Sequence, residues 1–441
     1  MVRRRITVPF LLSSALSLLG NSVAGVVLPL VLLATTGDAL AAGTLALICA
    51  VPQVAAGMLG GAALDRFNRR DVSIISDVMS AGAVALLPLI DLTVGLNFGW
   101  FVFCGVLGAI GDIPGMTARD ALLPAVTERD GVSLQRFLGL SQSLDSLTTI
   151  IGPALAALAI SLIGGVNAFW FTAAMSLAAA LVTTTIPRSV GAVRTGAEGE
   201  PESAAGPAAE SAADAAGAAL GNGAPAPAGG LFAAARASLA EGVRVLFRSD
   251  AVLSASVLLT LGIVMVMGSY QGLVLPAYFT EIGRPELLGY LLSGMSAGML
   301  AGSLGYASLA PRLAKRTWYL LSLVGMMAGV GLLGALAGFP LMFVGALVLG
   351  ISAGPASALL GFFVLDRIPE ASRGSALGTQ NSLMLVAAPA AMFASSILVS
   401  LAGIRASSLI LVAAWLLITL AAMFAKSLRS LDGEPAAEPY A

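Results

Sequence analysis

Twelve apolar stretches follow one another along the chain, and short polar segments separate them. A helix needs roughly 20 apolar residues to cross a hydrocarbon layer about 30 Å thick. Lipid offers no water to satisfy backbone N–H and C=O groups, so runs of this length predict helices. The predicted spans are 8–34, 40–63, 72–90, 98–118, 137–163, 166–186, 251–277, 287–310, 317–338, 341–365, 375–402 and 407–424.

The basic residues orient these spans. If the amino terminus is cytoplasmic, every Lys and Arg except Arg284 and Arg405 falls on the inner side, as the positive-inside rule requires. A missing or additional helix would invert all later loops and destroy this pattern. The sequence therefore predicts an all-α, multi-pass membrane protein with twelve transmembrane helices and both termini in the cytoplasm.

Composition and charge exclude several other classes of protein. Hydrophobic residues make up 58% of the chain and charged residues only 11%, with a mean hydropathy of +0.93, whereas soluble domains carry about 25% charge. The net charge of -1 is spread by topology and forms no basic face for nucleic acid. Without histidine or a nucleotide-binding loop, we expect neither an enzyme nor a zinc site, and we expect Cys49 and Cys104 to be small buried hydrophobes.

The two halves of the chain look like copies of each other. Gly25 and Pro29 in the first span match Gly272 and Pro276 in the seventh at one common separation. Further matches pair Asp145 with Asn381, Gly152-Pro153 with Ala388-Pro389, and Arg66, Arg69 and Arg70 with Arg312, Lys315 and Arg316. Parallel repeats of six helices allow two bundles to rock about a central site. We therefore expect two six-helix bundles related by a pseudo-twofold axis.

The domain boundaries follow from the same pattern. We expect an N-terminal bundle over 1–186, a C-terminal bundle over 250–426 and a cytoplasmic tail over 427–441. Residues 187–230 are rich in Ala, Gly, Pro and Glu with almost no large apolar residue, which predicts a disordered cytoplasmic linker. Residues 231–249 predict an amphipathic helix at the inner headgroups, with more linker as the alternative. Its apolar face would carry Leu231, Leu239, Val243 and Phe247, and its arginines Arg236, Arg244 and Arg248 lie elsewhere on the helix.

A segment with a cluster of charged residues joins the second and third spans; it reads GGAALDRFNRRD from Gly60 to Asp71. It resembles the G-x-x-x-D-R-x-x-R-R signature that major facilitator superfamily transporters carry in this loop. That resemblance implies a twelve-helix carrier that alternates between inward and outward openings, with the loop as a cytoplasmic latch. Topology alone would explain the arginines but not Asp65. The latch residues would be Gly61, Asp65, Arg66, Arg69 and Arg70, of which Asp65, Arg66 and Arg70 would pair with neighbouring helix ends.

Shorter motifs resemble the twelve-helix drug/proton antiporter branch, which includes macrolide-efflux and siderophore-exporter proteins. Gly152-Pro153 begins a stretch similar to the G-P-x-x-G-G antiporter signature, with Ala156 and Ala157 in the glycine places; close helix packing is the alternative role. Many family antiporters also carry an arginine in the middle of the fourth helix, which 98–117 lacks. The remaining motifs are Ser76-Asp77, Ala121-Leu-Leu-Pro124, Ile368-Pro369-Glu370 and Arg373-Gly374. This resemblance implies proton-coupled efflux of amphipathic organic molecules and multidrug resistance, with a lysophospholipid carrier or an importing symporter as alternatives.

Acidic residues within the spans are the candidates for proton coupling, because a charge in lipid is costly and is usually kept for ion or substrate handling. We rank Asp145 first and Asp112 second, and we expect Asp77 to be structural. Each could instead pair with a nearby arginine such as Arg119 or Arg136. Neutral polar side chains and adaptable methionines would line the substrate path. These are Asn21, Ser22, Gln142, Tyr270, Gln271, Gln380 and Asn381, with Met265, Met267, Met295 and Met384.

The expected partners are a small-molecule substrate, protons and membrane lipid. A path poor in fixed charge suits amphipathic or weakly charged compounds. The proton gradient, rather than a cofactor or a metal, would supply the energy. Because internal duplication removes the need for a dimer, we expect a monomer, and the Ala/Gly-rich composition favours a bacterial plasma membrane.

Overall fold

The computed structural model describes residues 6–64, 67–132, 134–192, 240–309, 314–368 and 373–424, and its regular secondary structure there is helical throughout. Ten helical stretches are long and apolar enough to cross a membrane. One of them contains two helices, and Ala168–Thr184 is a shorter apolar helix. The predicted fold class, twelve helices in two bundles, is confirmed.

The N-terminal bundle contains helices α1 to α6. Asn68 begins α3 by accepting a hydrogen bond from the backbone N–H of Arg70 at 3.1 Å, and Asn97 begins α4 in the same way. Such caps satisfy N–H groups that have no partner inside the helix. The bounds are α1 Thr7–Thr36, α2 Ala39–Leu64, α3 Arg69–Thr93, α4 Phe98–Asp130, α5 Leu134–Ile163 and α6 Ala168–Thr184.

The C-terminal bundle contains helices α7 to α12. Within α7, Tyr270–Val274 forms a π-helical turn. The last two helices meet at Gly403, whose φ of 81° is a conformation that glycine adopts without strain. The bounds are α7 Ala251–Glu281, α8 Glu286–Leu309, α9 Lys315–Gly334 and α10 Phe339–Arg367, and Arg373–Phe424 comprises α11 (373–402) and α12 (404–424).

The fourth helix is longer than the sequence predicts. The prediction ends it at residue 118, before two charged residues, but α4 continues through Pro124 to Asp130 and is 33 residues long. The helix can continue because Arg119 finds an acidic partner on α3. Arg119 and Asp120 therefore lie within a helix and not in a loop.

The first residues of the predicted linker pack against the N-terminal bundle. Arg188–Val190 forms a 3₁₀ turn in which Val190 is buried. The backbone N–H of Arg69 donates to the carbonyl of Gly191 at 2.9 Å. The linker and tail residues 193–230 and 425–441 lie outside the described residues, so their predicted disorder stays a prediction.

The two bundles repeat one close helix contact. In the N-terminal bundle Gly152 of α5 lies against Ser22 of α1, where a Cβ on the glycine would overlap the serine side chain. In the C-terminal bundle Gly268 of α7 lies against Ala388 of α11, and a Cβ there would lie 2.9 Å from the alanine Cβ. Small residues let helices approach closely where no hydrophobic force drives them together. Gly152 and Ala388 are matched positions of the repeat, and Ser22 and Gly268 lie within one residue of a match, which supports the duplication.

The buried apolar residues form one shared cluster and two separate ones. The large cluster includes residues of both bundles, such as Val27 and Leu30 of α1 and Leu273 and Phe279 of α7. A second cluster belongs to the N-terminal bundle alone, and a third to the C-terminal bundle alone. Both smaller clusters lie at helix ends that the basic residues assign to the cytoplasm. The bundles are thus joined toward the outside and separate toward the cytoplasm, an inward-facing arrangement.

The outer contacts between the bundles depend on glycine. Helix α2 packs on α11, and α5 packs on α8. A Cβ at Gly43 would lie 2.9 Å from the Cα of Phe393. A Cβ at Gly289 would overlap the carbonyl oxygen of Pro153 and lie 2.7 Å from the Cβ of Ala157. The outer side can close only while these positions carry no side chain.

We expect Gly289→Ala to open the outer side. The added methyl group overpacks the contact between α5 and α8, at a cost of about 1–3 kcal/mol in this state only. The population should shift toward the outward-facing state. Double electron–electron resonance between spin labels at the exposed positions Leu162 and Tyr290, in a cysteine-free background, should report a longer distance.

Gly305→Ala is the matched control, because it lies on the same helix and a Cβ there would have no atom within 4 Å. It should leave the distance distribution unchanged. An unchanged distribution for Gly289→Ala as well would contradict the role of this contact in closure.

Candidate functional site

Acidic residues in the middle of the membrane helices occur in the N-terminal bundle. Away from the helix ends, the helices of the N-terminal bundle carry four acidic residues, namely Asp77, Asp112, Asp120 and Asp145. Between positions 251 and 365 of the sequence the acidic residues are Glu281 and Glu286, at the outer ends of α7 and α8, and 374–424 contains none. The acidic side chains at membrane depth therefore lie in the N-terminal bundle.

Asp77 is held in a buried ion pair. Nη2 of Arg119 donates to both carboxylate oxygens of Asp77, and Nη1 donates to the Ser17 hydroxyl at 2.8 Å. Ser17 in turn donates to Asp77 at 3.0 Å. The Asp77 side chain is only 4% exposed and that of Arg119 13%. One network thus ties α1, α3 and α4 together and neutralises the Asp77 charge.

Asp112 lies farther along the same interface between α3 and α4. The Ser80 hydroxyl donates to its carboxylate at 2.6 Å. Ser76, one turn away, donates to the carbonyl of Gly111 and lies so close to Gly115 that a Cβ there would overlap it. Asp112 also interacts electrostatically with the Asp77–Arg119 pair. Its direct partner is therefore a neutral hydroxyl rather than a guanidinium.

Asp120 and Asp145 form a pair of neighbouring carboxylates. At a rise of about 1.5 Å per residue, Asp120 lies about 15 Å from the cytoplasmic end of α4, and Asp145 about 17 Å from the cytoplasmic start of α5. They lie at one depth and repel each other electrostatically. Consecutive helical residues point about 100° apart, so Arg119 can face Asp77 while Asp120 faces α5.

The carboxylate of Asp145 has no hydrogen-bond or ion-pair partner among the described residues. Its backbone carbonyl accepts from the hydroxyls of Thr148 and Thr149 at 2.9 and 2.8 Å, but these bonds leave the side chain free. The side chain is half-buried. Asp145 is therefore an acid within a membrane helix whose charge no described cation offsets.

Sequence reasoning missed Asp120. The residue follows directly on Arg119, and the predicted fourth span stops just before both. One signal in the sequence could have extended the helix. Asp112 and Arg119 are seven residues apart, which places both on one helical face if the helix continues, and Asp120 would then lie within that helix.

Two of the substrate-path candidates are exposed. Asn21 lies on α1 one turn before Gly25, where a Cβ would have no atom within 4 Å. Asn381, another path candidate, is exposed on α11 of the other bundle. Each bundle thus presents one carboxamide on an open surface.

The other path candidates of the C-terminal bundle are partly or wholly buried. Tyr270 is fully buried, and its hydroxyl donates to the backbone carbonyl of Ser408 at 2.9 Å. Gln271 is half-buried and donates to the sulfur of Met295 at 3.9 Å. The Oε1 atom of half-buried Gln380 is buried without a partner in the described structure. In this conformation Tyr270 holds the π-helical turn in place and does not reach an open surface.

The latch segment binds neighbouring helix ends of its own bundle. Arg69 donates to the carbonyl of Ala121 in α4 at 2.9 Å, and Arg70 donates to that of Thr184 at the end of α6 at 2.6 Å. In the other bundle Lys315, the match of Arg69, lies 4.3 Å above the ring of Phe362 in α10. In each bundle, therefore, a basic residue fixes the start of the third helix against the fourth: α3 against α4, and α9 against α10.

Asp71, which follows the latch residues, forms ion pairs with two arginines. Asp71 accepts from Arg70 at 2.9 Å and from Nη2 of Arg188 at 2.5 Å. This hydrogen bond and the attraction between the two groups raise the pKa of the exposed Arg188 guanidinium. The segment that follows α6 is thus bound to the start of α3 by a charged pair.

Some candidate residues lie outside the described structure. Asp65 and Arg66 are outside it entirely, and the side chain of Gln142 is too. Gly61 lies in the last turns of α2. Among the described residues no three His, Cys, Asp or Glu side chains gather as a metal site would require.

The sequence matches the family model for the Major Facilitator Superfamily over residues 10–278 and 257–439. It is 28% identical over 418 residues to the multidrug efflux pump Tap of Mycolicibacterium fortuitum, which covers 94% of each chain. Over 144 residues it is 26% identical to macrolide efflux protein A of Streptococcus pyogenes, which covers 33% of this chain and 35% of that protein.

Solved structures share the fold. A bacterial homologue of the human lysosomal transporter Spinster, in an inward-facing and unoccupied conformation, superposes with a TM-score of 0.70 at 13% identity and covers 99% of both chains. The family match extends along nearly the whole chain. It agrees with the fold, which has twelve helices in two bundles and a charged loop between α2 and α3. The chain belongs to the Major Facilitator Superfamily and is a multi-pass membrane transporter, not an enzyme.

Proposed function

We propose that the protein exports amphipathic small organic molecules in exchange for protons, as a monomer in a bacterial plasma membrane. The observation that carries this proposal is the similarity to proteins named multidrug efflux pumps over 94% of both chains. A likeness of that length covers both bundles, not only the latch segment that importers and exporters of the superfamily share.

Asp145 is the proposed proton site, and Asp120 is its proposed partner. Two like charges at one depth repel each other, and binding one proton relieves that repulsion. Neither carboxylate has a described ion-pair partner, although Arg119 acts on Asp120 electrostatically. A charge that is not permanently paired can change during a cycle without breaking the bundle.

The inward-facing arrangement supports access to this pair from the cytoplasm. Asp145 lies nearer the cytoplasmic start of α5 than Pro153 and Ala157, which close the outer side against Gly289. In an exchange cycle the inward-facing state binds substrate and releases the proton, and the outward-facing state does the reverse. The proton gradient then drives export.

Asp112 and Asp77 take lesser places in this proposal. Asp112 is the second candidate, because its direct partner is the Ser80 hydroxyl and its charge is not cancelled by contact. Asp77 is assigned a structural role, because Arg119 already neutralises it.

The C-terminal bundle supplies a neutral surface for the substrate. Gln271, Gln380 and Asn381 offer amide groups, and Met295 offers a polarizable side chain. Flexible, weakly polar surfaces of this kind accept ligands of varied shape. A fixed acidic group on one side and a neutral surface on the other suit amphipathic or weakly charged compounds.

We expect Asp145→Asn to abolish proton-driven export while drug binding persists. Asparagine keeps the size of the side chain but cannot release a proton, so the gradient has no group to act on. The measurement is efflux of a panel of amphipathic drugs from proteoliposomes under an imposed pH gradient. Drug–drug exchange without a gradient should continue at close to the wild-type rate.

Asp91→Asn is the matched control, since it makes the same change at an exposed carboxylate near the outer end of α3 and should transport as the wild type does. Adding Asp120→Asn to Asp145→Asn should cause little further loss, because interacting groups are not additive. Full gradient-driven efflux by Asp145→Asn would refute the assigned site. If the wild type moves labelled lysophospholipid but no drug, the lipid-carrier alternative replaces drug export.

We expect Asp77→Asn to destabilise the protein by about 3–5 kcal/mol, because it leaves the buried Arg119 charge without its partner. Thermal unfolding in detergent should report a lower midpoint. The double variant Asp77→Leu/Arg119→Met, which removes both charges, should unfold closer to the wild type. If it also keeps proton-driven export, the pair is structural; if it folds but loses export, Asp77 takes part in coupling.

A further inference from the structure

Residues 240–249 form a helical segment that packs on the cytoplasmic end of the C-terminal bundle. Leu246 is fully buried and Val245 is 7% exposed, within a cluster that includes Leu253 of α7 and Val364 of α10. The packed face thus differs from the predicted apolar face. Val243, on the predicted apolar face, is 45% exposed and is free to face the membrane.

The outward stripe of this segment combines apolar and cationic groups. Ala240, Val243, Arg244, Phe247 and Arg248 line a surface groove of about 410 Å³. The Arg244 side chain is 68% exposed and pairs with Glu241 at 2.8 Å. Arg248 is exposed and has no ion-pair partner among the described residues. The groove therefore carries net positive charge beside exposed hydrocarbon.

This groove lies where the chain enters the membrane. Asp250 caps α7 by accepting from the backbone N–H groups of Val252 and Leu253 at 2.6 and 2.9 Å. Arg248 precedes that cap by two residues, and Arg244 precedes Arg248 by about one helical turn. The positive-inside pattern assigns this end of α7 to the inner leaflet. The two guanidinium groups thus lie at headgroup depth.

Anionic phospholipid is the occupant that matches these features. A guanidinium presents several N–H donors in a fixed fork that fits phosphate oxygens. Exposed Val243 beside the arginines suits the boundary between headgroups and acyl chains, where apolar residues of an amphipathic helix lie. A soluble anion would use the arginines but would leave the hydrocarbon of the groove in water.

We propose that Arg244 and Arg248 form a binding site for the headgroup of an anionic phospholipid of the inner leaflet, with Val243 and Phe247 against its acyl chains. The site is separate from the transport path, and its existence does not depend on the proposed export function. A lipid held here anchors the base of α7, and with it the C-terminal bundle, to the inner leaflet.

The test counts bound lipid by native mass spectrometry of the purified full-length protein titrated with phosphatidylglycerol or phosphatidylcholine. The wild type should retain phosphatidylglycerol in preference to phosphatidylcholine. Removing one arginine with Arg248→Gln should weaken retention about fivefold, the effect of one basic residue at a lipid surface. Arg244→Gln/Arg248→Gln should weaken it further, and Arg248→Lys should retain part of the preference.

Arg316→Gln is the matched control, because it removes an exposed cytoplasmic arginine at the start of α9. It should bind lipid as the wild type does, and thermal unfolding in detergent should confirm that every variant is folded. Inorganic phosphate should not displace the bound lipid. The proposal is overturned if the wild type shows no preference, if Arg248→Gln binds normally, if Arg316→Gln loses as much, or if phosphate alone competes.

Discussion

A charge within lipid must find its partner inside the protein, and this constraint accounts for how the described acidic residues of the membrane helices are placed. Arg119 neutralises Asp77 and in doing so joins α1, α3 and α4. Asp112 has a hydroxyl partner on the same interface. Asp145, with Asp120 beside it, is the exception, since no described cation contacts it. The proposed proton exchange therefore rests on Asp145.

The second organising feature is where the two bundles touch. They share a core toward the outside, and each has its own apolar cluster at the cytoplasmic end. Their outer contacts run through glycines against backbone atoms, so they are short-range contacts that separate without breaking charged pairs. At the cytoplasmic side, the described hydrogen bonds instead join helix ends within each bundle. Arg69 and Arg70 bind ends of α4 and α6, and Asp250 caps α7. Each bundle can therefore move as a unit while the contacts between the bundles change.

The helices were predictable from the sequence because lipid makes length and apolarity decisive, as the agreement between the predicted span 137–163 and α5 illustrates. The end of α4 was not, because the Arg119–Asp77 pair that allows the helix to continue joins residues far apart in the chain. The polar neighbours of Tyr270 in the sequence predict that it lines the substrate path. Its hydroxyl instead donates to Ser408, on a helix that sequence pattern cannot place beside it. The packing of the segment before α7 on its bundle was also not predictable, since sequence pattern cannot tell that Val245 and Leu246 contact other helices. Asp120 was missed for the same reason as the helix end.

If Asp145 exchanges a proton for a drug as proposed, drug binding must release that proton, and this release can be measured. The purified protein in weakly buffered detergent solution, with a pH-sensitive dye, would be mixed with a drug that it transports. The wild type should release protons on binding, and Asp145→Asn should bind the drug without releasing them. Equal release by both proteins would rule out Asp145 as the exchange site, because the exchanged proton would then come from another group.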